Sequence, residues 1–377
     1  MNLERQAAGI HTEERAIREA TPAIRTLAKT MQAAVYRGRG DVRLETVPVP
    51  EIGEDEVLIR IEACGICGTD LKKIHSDLCP PPQIFGHEMA GRVARVGRRV
   101  ARWQVGDRVM TFHHIPCEHC FYCEKKLYSQ CPTYKQVGTT AGFEPNGGGF
   151  AQYIRVMPWV VQKGMVSVPS NVTMEEASMV EPVNTCLKGI RKVGIKPGET
   201  VYVIGQGPIG LMLMLLARRE GARAMVSDRI DFRLEKAREL GADVAVNPLR
   251  QEPMKILGRF TQDRGADVVL VAVHAENIVD HALQAARPGG RILLFAQNSA
   301  KEKLSIDPAE IGVQEKVLFG SYSASVDLQA EAAEVVFKRA IPVAELITHR
   351  FELEDIQQAL ELAARPAGNS LKVVIRP

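Results

Sequence analysis

The sequence predicts two fold classes in one chain, a β-rich part of irregular barrel type and an α/β part built as a doubly wound parallel sheet. Three observations predict it. Between Met31 and Thr111, short apolar strands are broken every few residues by glycine or proline. After about residue 183, apolar strands alternate with segments of helical period, and 377 residues are enough for two domains with large cores.

Taken in order, residues 1–30 carry five bases (Arg5, Arg15, Arg18, Arg25, Lys29) against four acids (Glu4, Glu13, Glu14, Glu19). Ile17, Ile24 and Leu27 stand loosely at helical spacing, but Pro22 interrupts that helix. The segment reads as a frayed extension, as a stretch upstream of a true start at Met31, or as an arm contacting another subunit. The strands of the β-rich part are expected at Ala33 to Tyr36, Val42 to Val47, Val57 to Glu62, Gly91 to Val96 and Arg108 to Thr111, separated by Gly38, Gly40, Pro48, Pro50, Gly53, Gly97 and Gly106. In the second part, apolar runs near Val201, Ala224, Val268 and Ile292 read as buried parallel strands. Ile209 to Arg219, Phe232 to Leu240 and Ile278 to Ala286 have helical period. From about Tyr322 the tail mixes helix (Leu328 to Lys338, Leu353 to Ala363) with a last strand, Leu371 to Ile375, and can close back onto the first part.

Composition excludes several functions. Lys+Arg at 48 against Asp+Glu at 45 leaves a net charge of +3, with no broad positive surface for nucleic acid. No apolar run approaches the ~20 residues of a membrane span. The first thirty residues lack the apolar core of a secretory signal, so a reducing, cytoplasmic setting is expected and a disulfide framework is not.

Val201 to Ile204 runs into Gly205-Gln206-Gly207-Pro208-Ile209-Gly210 and then an apolar helix, and Asp228 follows Gly210 by eighteen positions at the end of the next strand. Each glycine has a mechanical task. Gly205 allows the turn, Gly207 lets backbone approach a pyrophosphate, and Gly210 lets helix and strand pack closely. Asp228 can accept bonds from both ribose hydroxyls and repels a 2′-phosphate, so NAD is expected rather than NADP; the neighbouring Arg229 pulls the other way. The bland alternative is a glycine turn that holds no dinucleotide.

Four of the eight cysteines, Cys117, Cys120, Cys123 and Cys131, stand in a C-x2-C-x2-C-x7-C pattern. A closed set of four thiolates is what a structural zinc needs, and Lys125 and Lys126 can offset its charge. An iron–sulfur cluster or free thiols are the alternatives, although ferredoxin spacing continues x3-C-P. Elsewhere Cys67 lies in Cys64-Gly65-Ile66-Cys67-Gly68-Thr69-Asp70, and His87 in Gly86-His87-Glu88. Alone, the first can be a redox pair or buried thiols, and the second a structural histidine. Glu181-Pro182 stands where the β-rich texture ends, a suitable place for an acid in a cleft.

With these residues assembled, the chain resembles the zinc-dependent medium-chain dehydrogenase/reductase family over Met31 to Pro377. The resemblance is carried by Gly86-His87-Glu88-x2-Gly91-x5-Gly97-x2-Val100, Gly106-Asp107-Arg108-Val109, the four-cysteine lobe at about 113–135, Gly149-Phe150-Ala151-Gln152-Tyr153 and the dinucleotide turn. It implies a GroES-like catalytic domain over 31–182, an inserted Rossmann NAD-binding domain over 183–321, and a return to the catalytic domain over 322–377.

The resemblance implies two zinc ions per chain. Cys67 and His87 would bind the catalytic one with Glu181, while Glu88 can ligate in its place; Asp70 would orient the histidine. Zinc with one thiolate and one carboxylate is formally neutral and favours ionisation of a substrate hydroxyl, from which hydride passes to nicotinamide. Thr69 matches the start of the proton relay, and Lys72 stands where many members have histidine, with Lys73 and His75 nearby. Arg233 joins Gly205, Gly207, Pro208, Ile209, Gly210 and Asp228 in the expected cofactor-binding set.

Glu181-Pro182 is similar to sorbitol and other polyol dehydrogenases. His114-Ile115-Pro116-Cys117 is similar to threonine dehydrogenases, where His114 would contact substrate; otherwise His113 and His114 are simple surface residues, or residues supporting the metal ligands, beside the lobe. The expected reaction moves hydride between NAD and a secondary alcohol of a polyol, cyclitol or sugar derivative, with L-threonine or another amino alcohol as runner-up. A zinc-free quinone or enoyl reductase, a redox-neutral relative that keeps NAD bound, and a non-enzymatic zinc-binding interaction protein are the rivals. A homo-oligomer, dimer or tetramer, is expected.

Overall fold

Hairpin pairing starts the fold. In the computed structural model, which describes residues 27–76, 78–144, 147–296, 303–367 and 369–377, strand Thr30–Gly38 pairs antiparallel with Asp41–Pro48, Met31 opposite Val47. The extension expected over residues 1–30 lies outside the described residues as far as position 26. The strand Val57–Gly65 is central to a second sheet. It pairs antiparallel with Glu88–Val96 and with Tyr153–Val156, and at its far end with the last strand, Lys372–Arg376. That last strand also pairs in parallel with Ile347–Glu352, so segments about three hundred residues apart in sequence lie side by side.

The second half is a six-stranded parallel sheet in the order Val244–Val246, Arg223–Ser227, Thr200–Ile204, Ala266–Val271, Ala286–Leu294, Val317–Gly320. The order reverses beside Thr200–Ile204, which places a crevice at the carboxyl ends of the central strands. Helices Pro208–Arg219, Asp231–Glu239 and Ile278–Ala285 occupy the segments of helical period, with ends within a residue or so of those expected.

One helix, Val180–Val193, ties the halves together. Its Val183, Cys186, Leu187 and Ile190 are buried in an apolar cluster that also contains Ile59, Ile61, Val201 and Leu211. The boundary expected between 182 and 183 therefore falls inside a helix. Pro182 does not break it, because residues of a first turn have no intrahelical acceptor for their N–H and so lose nothing to proline. Among the described residues no helix is long and apolar enough to cross a membrane.

Candidate active site and metal centres

Cys67 is placed by a capping box. It stands before helix Gly68–Ile74 with its sulfur accepting from the Thr69 N–H at 3.5 Å, while the Asp70 carboxylate accepts from the Cys67 N–H at 3.0 Å. The other Asp70 oxygen reaches the loop carrying the histidine, at 3.3 Å from the Gly86 N–H and 3.1 Å from His87 Nδ1. One nearly inaccessible carboxylate thus fixes the sulfur-bearing turn and the imidazole together, leaving Nε2 of the ring for a ligand. Burial alone would lower the His87 pKa, but the charges of Asp70 and Cys67 hold it well above its ordinary value. The Asp70 pKa stays low despite burial, for the same pairing.

Among the described residues two groups of donor atoms converge: Cys67, His87 and Glu88, and the four lobe cysteines, each group with its atoms within 4.8 Å of one another. Glu88, on the strand after His87, is the carboxylate of the first group, where the sequence puts Glu181 first and Glu88 as its alternate. It forms a buried ion pair with Lys372, whose Nζ also donates to the Ile66 carbonyl at 2.9 Å. Glu181 lies outside that group, buried in the first turn of Val180–Val193. Burial raises its pKa to about 7, with His87 pulling it down and Glu88 pushing it up. The site therefore holds two nearby acids, one paired to a lysine and one poised near neutrality.

Lys372 is absent from the sequence reading, although a lysine inside the apolar strand Leu371 to Ile375 is itself a signal, since buried charges are usually paired. Gly65 belongs with it. A Cβ at that position would overlap the Glu88 carboxylate and stand 2.7 Å from Lys372 Cε.

In the lobe, sulfur-to-sulfur distances are 3.6 Å for Cys120–Cys123 and Cys117–Cys131 and 4.0 Å for Cys117–Cys123. Four sulfurs about 2.3 Å from one zinc have edges of about 3.8 Å, so the set fits that ion. None of the four is in a disulfide. Burial pushes the Cys123 thiol up, whereas the Cys117 N–H and the Thr133 hydroxyl outweigh burial and pull Cys131 down.

His113 and His114 are not plain surface residues. Their rings form a row with His87 and Tyr134: His87–His113 centroids are 4.8 Å apart, His113–His114 4.1 Å, and His114–Tyr134 5.3 Å. Burial holds His113 well below its ordinary pKa and His114 at about 3, so both are neutral polar walls beside the site. Thr69 is half-buried next to Cys67, whereas Lys72 is exposed.

At the dinucleotide turn, Gly205 has φ +92°, and a Cβ there would stand 2.8 Å from that of Val273. A Gly210 Cβ would overlap the Gly205 carbonyl. Gly207 caps helix Pro208–Arg219 with open space on its Cβ side except for Arg233 Nη1 at 3.7 Å, a cradle suited to a pyrophosphate. Asp228 accepts from the Gln206 N–H at 2.6 Å and the Ile230 N–H at 2.9 Å, with Arg233 Nη1 at 3.8 Å. The carboxylate is thereby fixed at the strand end, each oxygen keeping acceptor capacity.

Fold and donor sets together define a zinc-binding oxidoreductase acting on alcohols. Residues 53–170 match the alcohol dehydrogenase GroES-like domain and residues 208–338 the zinc-binding dehydrogenase family. The chain belongs to the zinc-dependent medium-chain dehydrogenase family. It is 31% identical over 358 residues to sorbitol dehydrogenase of Bacillus subtilis, covering 93% of this chain and 99% of that one. It is 32% identical over 364 residues to L-threonine 3-dehydrogenase of Symbiobacterium thermophilum, covering 93% and 99%. A zinc-binding dehydrogenase of Sinorhizobium meliloti, solved bound to NADP, superposes with a TM-score of 0.83 at 29% identity, covering 93% of this chain and all of that one. The GroES-like and Rossmann expectations are borne out.

Proposed function

We propose that this chain is an NAD-dependent dehydrogenase of a secondary alcohol in a polyol, cyclitol or sugar derivative, with one catalytic and one structural zinc. The observation that carries it is the convergence of Cys67, His87 and Glu88, with Glu181 buried close by. When bound there, zinc supplies the Lewis acidity that ionises a substrate hydroxyl, and the dinucleotide supplies the hydride acceptor.

The chain's own residues do the rest. Asp70 orients His87, Lys372 balances the charge of Glu88, and Thr69, half-buried two residues after Cys67, would pass the hydroxyl proton outward. Neutral His113 and His114 add polar walls without charge, which suits a polyhydroxylated substrate. The sorbitol dehydrogenase likeness supports the same class. Asp228 supports NAD, since a second negative charge beside its carboxylate is unfavourable. L-threonine is the second reading, favoured by the position of His114 and the threonine dehydrogenase likeness.

The test is a dinucleotide-reduction screen with NAD and NADP across polyols, cyclitols, sugar phosphates, L-threonine and simple secondary alcohols, together with metal analysis. Turnover of a polyhydroxylated alcohol with NAD and about two zincs per chain is expected. Best turnover with L-threonine, a preference for NADP, or one zinc or none would overturn the corresponding part.

A further inference from the structure

Between the last parallel strand, Val317–Gly320, and helix Gln329–Phe337, the chain crosses back toward the β-rich half. This crossover is held at almost every residue. Lys192 donates to the Gly320 carbonyl at 2.8 Å and Lys188 to the Tyr322 carbonyl at 2.8 Å. The Asn184 side chain takes both backbone groups of Ser325, accepting from its N–H at 2.7 Å and donating to its carbonyl at 3.0 Å. Ser323 sits between these anchors with φ +61°.

Asn184, Lys188 and Lys192 are four apart on Val180–Val193, so they form one polar stripe, and Glu181 continues it into the catalytic site. The lobe contributes the opposite grip. The Tyr134 hydroxyl bonds Ser323 Oγ at 2.9 Å and donates to the Ala324 carbonyl at 3.1 Å. Ser129 Oγ accepts from Lys188 at 3.1 Å, and the Lys135 ammonium lies 5.5 Å from the Tyr322 ring centroid. Tyr134 is also a member of the lobe's own small core, with Cys123 and Cys131, and its ring ends the histidine row that starts at His87.

We infer that the four-cysteine lobe is a clasp on the crossover, and that Tyr134 is the positioning residue through which the lobe fixes how the dinucleotide half sits over the Cys67–His87–Glu88 site. The physical reason is the poverty of the lobe's core. Apart from the cysteines only Tyr134 is buried in it, with Tyr128 packed alongside, so the ligand set rather than apolar burial determines where Tyr134 and Ser129 stand. With the cysteines bound to an ion, the Tyr134 hydroxyl is presented to the crossover. With them free, the grip from the lobe side is lost and the stripe on Val180–Val193 holds the segment alone. This role goes beyond holding the lobe folded and does not depend on which alcohol is the substrate.

Hydrogen–deuterium exchange on the full, metal-loaded protein tests it, comparing wild type, Tyr134→Phe, Lys188→Met and wild type stripped of lobe metal with a thiol reagent. Tyr134→Phe keeps the ring and removes the two hydroxyl contacts. It is expected to retain wild-type zinc content, to speed exchange over residues 320–325 by at least about fivefold, since loss of even one buried neutral hydrogen bond is worth about that much, and to raise the dinucleotide KM several-fold with little change in kcat. Stripping the lobe is expected to speed the same amides further. Unchanged exchange at 320–325 in either case would overturn the inference. Lys188→Met loosens the helix-side grip and serves as the reference for how far one lost contact changes these amides. If Tyr134→Phe sheds zinc, Ser323→Ala decides, since it removes a Tyr134 contact from the crossover side and leaves the lobe and its cysteines intact; faster exchange at 320–325 supports the clasp and unchanged exchange overturns it.

Discussion

Asp70 accepts from Cys67 N–H and Gly86 N–H and pairs with His87 Nδ1, so one side chain joins the two segments that carry metal donors. Asp70→Asn keeps the shape but gives up the charge and presents an amide N–H2 to one of these donors. We expect affinity at the Cys67–His87 centre to fall by about 10- to 100-fold, read by competition with a chromogenic chelator, with the lobe metal retained. Equal affinity in the variant would remove the orienting role. Asp70 was legible because the family resemblance carries it in one motif with Cys67, three positions before it, and with His87, seventeen after. Lys372 was not, because it meets Glu88 only after the chain has closed a loop of nearly three hundred residues. The pairing of Glu88 rather than Glu181 with a lysine was equally hidden, since spacing says which acids are near and nothing of their ion pairs.

The strand-turn-helix from Thr200–Ile204 to Pro208–Arg219 shows the opposite situation, an element whose geometry is set by residues adjacent in sequence. Its glycine spacing could be read directly because Gly205 answers a demand for positive φ and Gly210 one for close approach, while Gly207 keeps open the space a pyrophosphate would take. Gly210 gives the sharpest case. Its Cβ would overlap the Gly205 carbonyl and stand 2.8 Å from that carbonyl carbon, both backbone atoms that cannot rotate away. Gly210→Ala should therefore open the turn and separate helix from strand. Dinucleotide affinity, followed by fluorescence titration, is expected to fall at least tenfold, with a lower melting temperature and unchanged zinc content. Pro182 is harmless in Val180–Val193 for an equally local reason, its position within the first turn.

At the scale of the molecule, the two sheets are joined by Val180–Val193 and by the crossover it grips, and Lys188 is a buried cation of that joint. Burial, with Lys192 beside it, lowers the Lys188 pKa to about 8 from 10.5. The consequence for stability has a definite sign. Below pH 8 the ammonium is charged in both folded and unfolded chains, and the folded state carries the full cost of burying it. Between about pH 8 and pH 10.5 the unfolded chain binds more protons at this site, so the contribution of Lys188 to stability rises with pH. In Lys188→Met that dependence is gone. The stability of wild type relative to Lys188→Met, measured from denaturant midpoints, should therefore increase between pH 7 and pH 9.5. Other titrating groups are common to both proteins and cancel in the comparison. A flat difference would mean that Lys188 keeps its ordinary proton affinity, and that the hydrogen bonds to Ser129 and Tyr322 compensate its burial in full.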